Sequence, residues 1–208
     1  RLNGCGHSGG RFASKQKKSR IKLKMSDILI IGGGLAGLTS AILLQQNGYQ
    51  VKVFEKKKYP FHRVCGEYIS NEVFPFLESL NIGISESAYS RINRLAITSV
   101  SGKILNADLP MGGFGLSRYK LDHLMYEQAK RLGVEFIFEK VDNITFNEGK
   151  FQITTPGNTV YETPIAIAAY GKRSNLDQKL NRSFFYRRSP YLGVKYHIKT
   201  DLPGNLVR

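Results

Sequence analysis

The residues most able to do chemistry in this chain are three glycines and a glutamate. Gly32-x-Gly34-x-x-Gly37 follows the apolar run Asp27-Ile28-Leu29-Ile30-Ile31 and runs into Leu38-Thr39-Ser40-Ala41. An apolar strand, the glycines and then a helical pattern are the context that a dinucleotide-binding turn requires. Gly32 permits the tight turn, Gly34 lets backbone approach a pyrophosphate, and Gly37 lets the helix pack closely on the sheet. The first N–H groups of that helix, with Leu35 and Ala36 among its first residues, would face the phosphates at its positive end. Glu55 lies eighteen residues beyond Gly37, at the end of the alternating run Tyr49-Gln50-Val51-Lys52-Val53-Phe54. A carboxylate there accepts hydrogen bonds from ribose hydroxyls, which favours FAD or NAD over a nucleotide with a phosphorylated ribose. Cys65 is a second chemical candidate, either as a thiol beside a reacting ring or as a small packed side chain. His62, His123 and His197 show no mutual spacing for metal or acid–base work.

The elements that must position these residues follow from pattern. The first strand is Asp27–Ile31, its helix stops at Asn47-Gly48, and the second strand ends at Glu55. Ser70–Leu80 reads as helical despite Pro75, with Phe74, Leu77 and Leu80 on one face. Arg91–Val100 and Lys103–Leu109 read as strands joined through Ser101-Gly102, and Met111-Gly112-Gly113-Phe114-Gly115 as a flexible loop. A helix follows Ser117 and stops at Gly133. Strands are expected at Val134–Phe138, Val141–Phe146, Phe151–Thr155, Pro164–Ala169 and Tyr191–Lys199, and Phe184-Phe185-Tyr186-Arg187-Arg188 reads as another strand.

The 208 residues carry 41% hydrophobic side chains and a net charge of +15. Residues 1–24 hold Arg1, Arg11, Lys15, Lys17, Lys18, Arg20, Lys22 and Lys24 and no acid, so over half of the excess lies there. That stretch reads as a disordered basic tail outside the fold: a translated upstream region, an expression remnant or a transit peptide. Met25-Ser26-Asp27 is where a native chain of this kind is expected to begin. No nucleic-acid motif accompanies the charge, and no apolar span is long enough for an integral membrane segment. Cys5 and Cys65 form no disulfide or zinc pattern, which makes a reducing cytoplasm the default.

Together these segments resemble the FAD-dependent oxidoreductases that include geranylgeranyl reductases, group A aromatic hydroxylases, flavin-dependent halogenases and lycopene cyclases. Pro60-Phe61-His62-Arg63-Val64-Cys65-Gly66-Glu67 is similar to the Arg/Lys-x-Cys-Gly segment of the geranylgeranyl reductase branch. The resemblance implies that Arg63 contacts FAD and that Cys65-Gly66 lies on the active-site side. Leu116-Ser117-Arg118-Tyr119-x-Leu121-Asp122 resembles the segment that opens a helix with an arginine reaching FAD phosphate or ribose. Val141 would place its backbone near the adenine, and Lys56 would join Glu55 beside the nucleotide, although Lys56–Lys58 alone reads as a solvated turn. The implied fold is α/β: a Rossmann-type FAD-binding domain with helices on one side of a mixed parallel sheet, a β-meander, and a partial antiparallel substrate domain. Residues 25–90 and 115–180 fall to the first domain, 91–114 and 181–208 to the second.

The resemblance also implies NAD(P)H as electron donor, and a small, hydrophobic substrate that is reduced or oxygenated at the flavin. A lipid substrate would add peripheral membrane contact. Two departures stand out. Ala168-Ala169-Tyr170-Gly171-Lys172-Arg173-Ser174 has Tyr170 where the hydroxylases carry an aspartate, which weakens the usual nicotinamide interaction. The family's late Gly-Asp motif is expected beyond Arg208, so the chain reads as part of a longer one. A relative of this fold that binds no flavin, the GDP-dissociation inhibitor, is the non-enzymatic alternative. A binder of anionic surfaces through the basic excess is a further one.

Overall fold

A computed structural model describes residues 20–21, 27–172, 174–186 and 190–208. Apart from Arg20–Ile21, the basic stretch 1–24 and its Cys5 lie outside the described residues, as do Arg187 and Arg188. In chain order the first elements are β1 (Arg20–Ile21), β2 (Asp27–Ile31), α1 (Leu35–Gln46), β3 (Gln50–Phe54), β4 (Tyr68–Ser70) and α2 (Phe74–Ser79). Then come β5 (Ser90–Thr98), β6 (Ile104–Gly115), α3 (Arg118–Arg131), β7 (Glu135–Ile137) and β8 (Asn143–Asn147). The last are β9 (Lys150–Thr154), β10 (Val160–Thr163), β11 (Ile165–Ala168), α4 (Asn175–Lys179) and β12 (Leu206–Val207).

A parallel sheet of order β11-β2-β3-β7 lies between the two hydrophobic cores. Strand side chains alternate between faces, and a parallel strand is buried on both. In β2, Ile28 and Ile30 pack with Leu38, Ala41 and Ile42 of α1 and with Leu121, Met125 and Ala129 of α3. Leu29 and Ile31 point the other way, where Phe54, Val141, Ile153 and Leu176 form a second core. Helices α1 and α3 thus cover one face of the sheet, and Leu176 of α4 packs on the other. The antiparallel meander β8-β9-β10 contributes to the other core, with Tyr161 edge-on to Phe54 at 5.0 Å. β1 pairs parallel to β10 at Arg20↔Val160.

Helix ends follow from their chemistry. The Ser117 hydroxyl accepts the Lys120 N–H at the start of α3, Lys130 and Arg131 occupy its last turn, and Gly133 leaves it with φ +97°. Pro75 is tolerated because it stands in the first turn of α2, where its missing N–H would have no helical partner.

The third sheet, of order β12-β5-β6-β4, corrects one expectation. Met111–Gly115 is not a flexible loop but the end of β6, paired to β5 at Ile92↔Gly113 and to β4 at Ser70↔Gly113. A Cβ on Gly113 would lie 2.5 Å from the Tyr68 ring, so glycine here admits a crossing aromatic side chain rather than mobility. Tyr191–Lys199 also differs: its alternating pattern forms no strand, and most of its side chains are exposed. Alternation makes a strand only where an edge is present to pair with it. Phe184–Tyr186 belong to a short 3-10 turn rather than a strand, and β10, which the sequence reading did not anticipate, pairs with β9.

Candidate functional site

The glycine turn between β2 and α1 distributes its glycines as the spacing demands. Gly32 has φ +105°, a conformation that L side chains rarely adopt, and a Cβ there would lie 2.4 Å from the Ala169 carbonyl oxygen. A Cβ on Gly37 would lie 1.9 Å from the Gly32 oxygen and 3.4 Å from the Ala169 Cβ. The close approach of α1 is therefore mainly to the turn's own backbone, and only secondarily to the sheet at the end of β11. Gly34 is different: its backbone is extended, and a Cβ would meet nothing within 4 Å. Leu35 is half-buried and Ala36 exposed as α1 begins.

Gly33, which the fingerprint leaves unspecified, is held on both sides. Its N–H donates to Glu55 Oε2 at 3.1 Å, and its carbonyl accepts from the Tyr59 hydroxyl at 2.5 Å and from the Arg63 guanidinium at 3.3 Å. Glu55 is only 6% exposed. Its Oε2 also accepts from Arg63 at 3.1 Å, and its Oε1 accepts the Lys57 N–H. Lys56 points into solvent.

Arg63 and Arg118 come from segments 55 residues apart and meet on Asp122, which is 1% exposed. Arg63 Nε donates to Asp122 Oδ2 at 2.9 Å; Arg118 reaches Oδ1 at 2.7 Å and Oδ2 at 2.9 Å. Charges thus alternate in the order Glu55, Arg63, Asp122, Arg118, which compensates two buried carboxylates. Burial lowers the Arg118 pKa, but Asp122 beside it outweighs this and leaves the guanidinium more firmly charged than usual, with Cys65 contributing in the same direction. Burial raises the Tyr59 pKa far above its ordinary value, with Glu55 adding to the shift, so the phenol stays a donor.

Beyond Arg63 the chain passes Cys65, half-buried, to Glu67 in a left-handed conformation at φ +62°. The Glu67 N–H donates to Cys65 Sγ at 3.5 Å, and Glu67 Oε1 accepts the Arg118 N–H at 2.9 Å. Lys195 ion-pairs with the same oxygen, and His197 Nε2 stands 3.5 Å from Oε2. A cleft of about 390 Å³ is lined by Val64–Glu67 and Val194–His197. His62 stacks on Tyr119 and meets His197 edge-on at 5.4 Å, although nothing in their spacing announced it. Among the described residues no cluster of His, Cys, Asp and Glu could hold a metal ion.

Burial raises the Glu67 pKa, but the Lys195 hydrogen bond, the Arg118 N–H and the charges of Lys195 and His197 bring it below the ordinary glutamate value. A carboxyl with a depressed folded pKa stabilises the fold above its unfolded pKa, about 4.3, and loses that contribution as pH falls through the lower folded value. Glu67→Gln should therefore destabilise at neutral pH, and the difference from wild type should shrink in denaturant titrations as pH falls below the ordinary glutamate range. A difference that stays constant over that range would rule out the ion pair as its origin.

The structure brings Gly32, Gly34, Gly37, Glu55, Arg63, Arg118 and Cys65 into one region, and Val141 shares a core with Ile31 and Phe54, the residues that precede Gly32 and Glu55. Val141 precedes β8, which starts only at Asn143, and is buried in the second core. Tyr59, Asp122, Glu67 and Lys195 were missed. Asp122 alone had a local signal, four residues after Arg118 on one helix face.

Residues 30–74 match the family model described as an NAD(P)-binding Rossmann-like domain. The chain is 26% identical to Protein FixC of Salmonella typhi over 196 residues, covering 87% of this chain and 44% of FixC. It thus spans less than half the length of that relative. Among solved structures it resembles the halogenase PltM in complex with phloroglucinol and FAD, with TM-score 0.63, 18% identity, and coverage of 76% of this chain and 37% of PltM. It also resembles p-nitrophenol 4-monooxygenase PnpA from Pseudomonas putida DLL-E4, with TM-score 0.64, 18% identity, and coverage of 75% and 44%. No described helix is long and apolar enough to cross a membrane. The chain has the α/β Rossmann-like FAD-binding-domain fold seen in flavin-dependent halogenases and monooxygenases.

Proposed function

We propose that this chain forms the nucleotide-holding part of an FAD-dependent oxidoreductase. The observation that carries this reading is the pairing of open space at Gly34 with a buried but unsaturated carboxylate at Glu55. An ionised carboxylate offers about four lone-pair sites. The Gly33 and Lys57 N–H groups and Arg63 occupy three, which leaves Oε1 able to accept one ribose hydroxyl. The donor set of the turn, the helix N-terminus and two arginines suits a pyrophosphate.

When bound, FAD supplies hydride and electron transfer at its ring, while the protein sets its position and surroundings. Gly34 and the first turn of α1 would hold the diphosphate; Glu55 would orient the adenosine ribose. Arg63 and Arg118 would offset phosphate charge and keep Cys65 beside the ring-side cleft. Within this class we favour a geranylgeranyl reductase-like enzyme or a monooxygenase that takes electrons from NAD(P)H and acts on a small, hydrophobic substrate. The Arg63-Val64-Cys65-Gly66 segment beside Arg118 supports that choice; halogenase chemistry belongs to the same class. Tyr170 donates to Asp177 at 2.9 Å, so the position where hydroxylases have a carboxylate here carries a phenol engaged elsewhere.

Full-length protein should purify yellow and release FAD on denaturation, one per chain. Colourless protein that cannot be reconstituted with FAD would overturn the assignment and favour a non-enzymatic relative.

A further inference from the structure

Resting on that reading, we propose that Tyr59 is a positioning residue: by holding the Gly33 carbonyl it sets the Gly33–Gly34 peptide plane so that the Gly34 N–H faces the diphosphate position. Gly33–Gly34 is a trans peptide, and in a planar trans peptide C=O and N–H point in opposite directions. A side chain that captures one therefore aims the other. The Tyr59 hydroxyl donates to the Gly33 oxygen at 2.5 Å and Arg63 adds a donor at 3.3 Å, so two groups pull this carbonyl toward the protein. Gly34 itself is open: a Cβ built there would meet nothing within 4 Å. The preceding peptide is fixed as well, through the Gly33 N–H on Glu55. Glycine flanks on both sides would otherwise leave these peptides free to flip.

Gly33 itself is bound into the device. A Cβ there would lie 2.0 Å from the Tyr59 hydroxyl, so any larger residue would displace the phenol from its carbonyl. Tyr59 is in turn held rigidly: its ring stacks on Tyr126 at 4.5 Å and meets Phe61, Phe136 and Phe138. Its raised pKa keeps the hydroxyl protonated across the working range. The hydroxyl, not the ring, performs the proposed task.

The test uses full-length protein and compares wild type with Tyr59→Phe, which keeps the ring packing, and with Ile153→Val, which loosens the second core away from Tyr59 and Gly33. Two readouts are needed: FAD affinity by flavin fluorescence, and the Gly34 amide resonance in flavin-free protein. Loss of a single positioning hydrogen bond should weaken FAD binding roughly tenfold in Tyr59→Phe. The Gly34 amide should broaden through exchange in Tyr59→Phe, and both readouts should stay near wild type in Ile153→Val. Unchanged affinity, an unchanged amide, or an equal loss in Ile153→Val would overturn the proposal. If wild type binds no FAD, the flavin reading fails, yet the amide comparison still decides whether Tyr59 holds the peptide.

Discussion

Gly34→Val should abolish FAD binding by the complete protein while leaving its fold intact. The two halves of this expectation rest on the same geometry. Gly34 has an ordinary extended backbone, φ −84° and ψ −172°, so a β-branched residue meets no conformational penalty. A Cβ there touches no protein atom within 4 Å, so the variant needs no rearrangement to fold. The space it fills is the space through which backbone would approach the diphosphate. Affinity should fall on the order of 100-fold or more, with the thermal unfolding midpoint near wild type. Gly37→Ala is the contrasting control: its Cβ would lie 1.9 Å from the Gly32 oxygen, so it should lose stability and flavin together. Wild-type flavin stoichiometry in Gly34→Val would refute the assignment of this turn.

Asp122→Ala should be the most destabilising single change among the polar residues of the site. Asp122 is 1% exposed and takes charge-assisted hydrogen bonds from two guanidinium groups. Removing it leaves Arg63 and Arg118 facing each other without the carboxylate between them, their side chains only 30% and 15% exposed. Breaking a buried ion pair by deleting one partner costs about 3 kcal/mol or more, which for a chain of this size corresponds to a fall of roughly 6–12 °C in the unfolding midpoint. Asp122→Asn should cost less, because the amide oxygen can still accept from one arginine. The consequence reaches the glycine turn, since Arg63 released from Asp122 no longer holds the Gly33 carbonyl and Glu55 in fixed geometry. Thermal unfolding of both variants at neutral pH checks this; a loss below about 1 kcal/mol in Asp122→Ala would show that the arginines find other partners or solvent.

The parts of this protein that were legible in its amino-acid order are those with local causes. The β2–turn–α1–β3 unit follows from hydrophobic periodicity, from glycines at positions where a Cβ has no room or must leave room, and from helix stop chemistry at Asn47-Gly48. Glu55 at the strand tip and the Ser117 cap of α3 are equally local. Two segments misled because they were judged in isolation. Met111–Gly115 looks flexible by composition but is clamped between β4 and β5, and Tyr191–Lys199 alternates like a strand but has no edge to join.

The site itself was decided by long-range packing. Arg63 could be named from its segment, but its partners lie at Glu55, at Gly33 and at Asp122, 59 residues further along. Lys195 finds Glu67 across 128 residues, and no pattern in the chain records that approach. Local rules specify which residues can turn, cap or bury. Which buried charge meets which partner depends on how sheet and helices close over one another, because an unpaired charge there costs more than any local preference can return. The sequence alone determined a strand–glycine turn–helix unit with a carboxylate at the tip of the next strand. Only the tertiary structure decided that Tyr59, Arg63 and Asp122 hold that turn in one orientation.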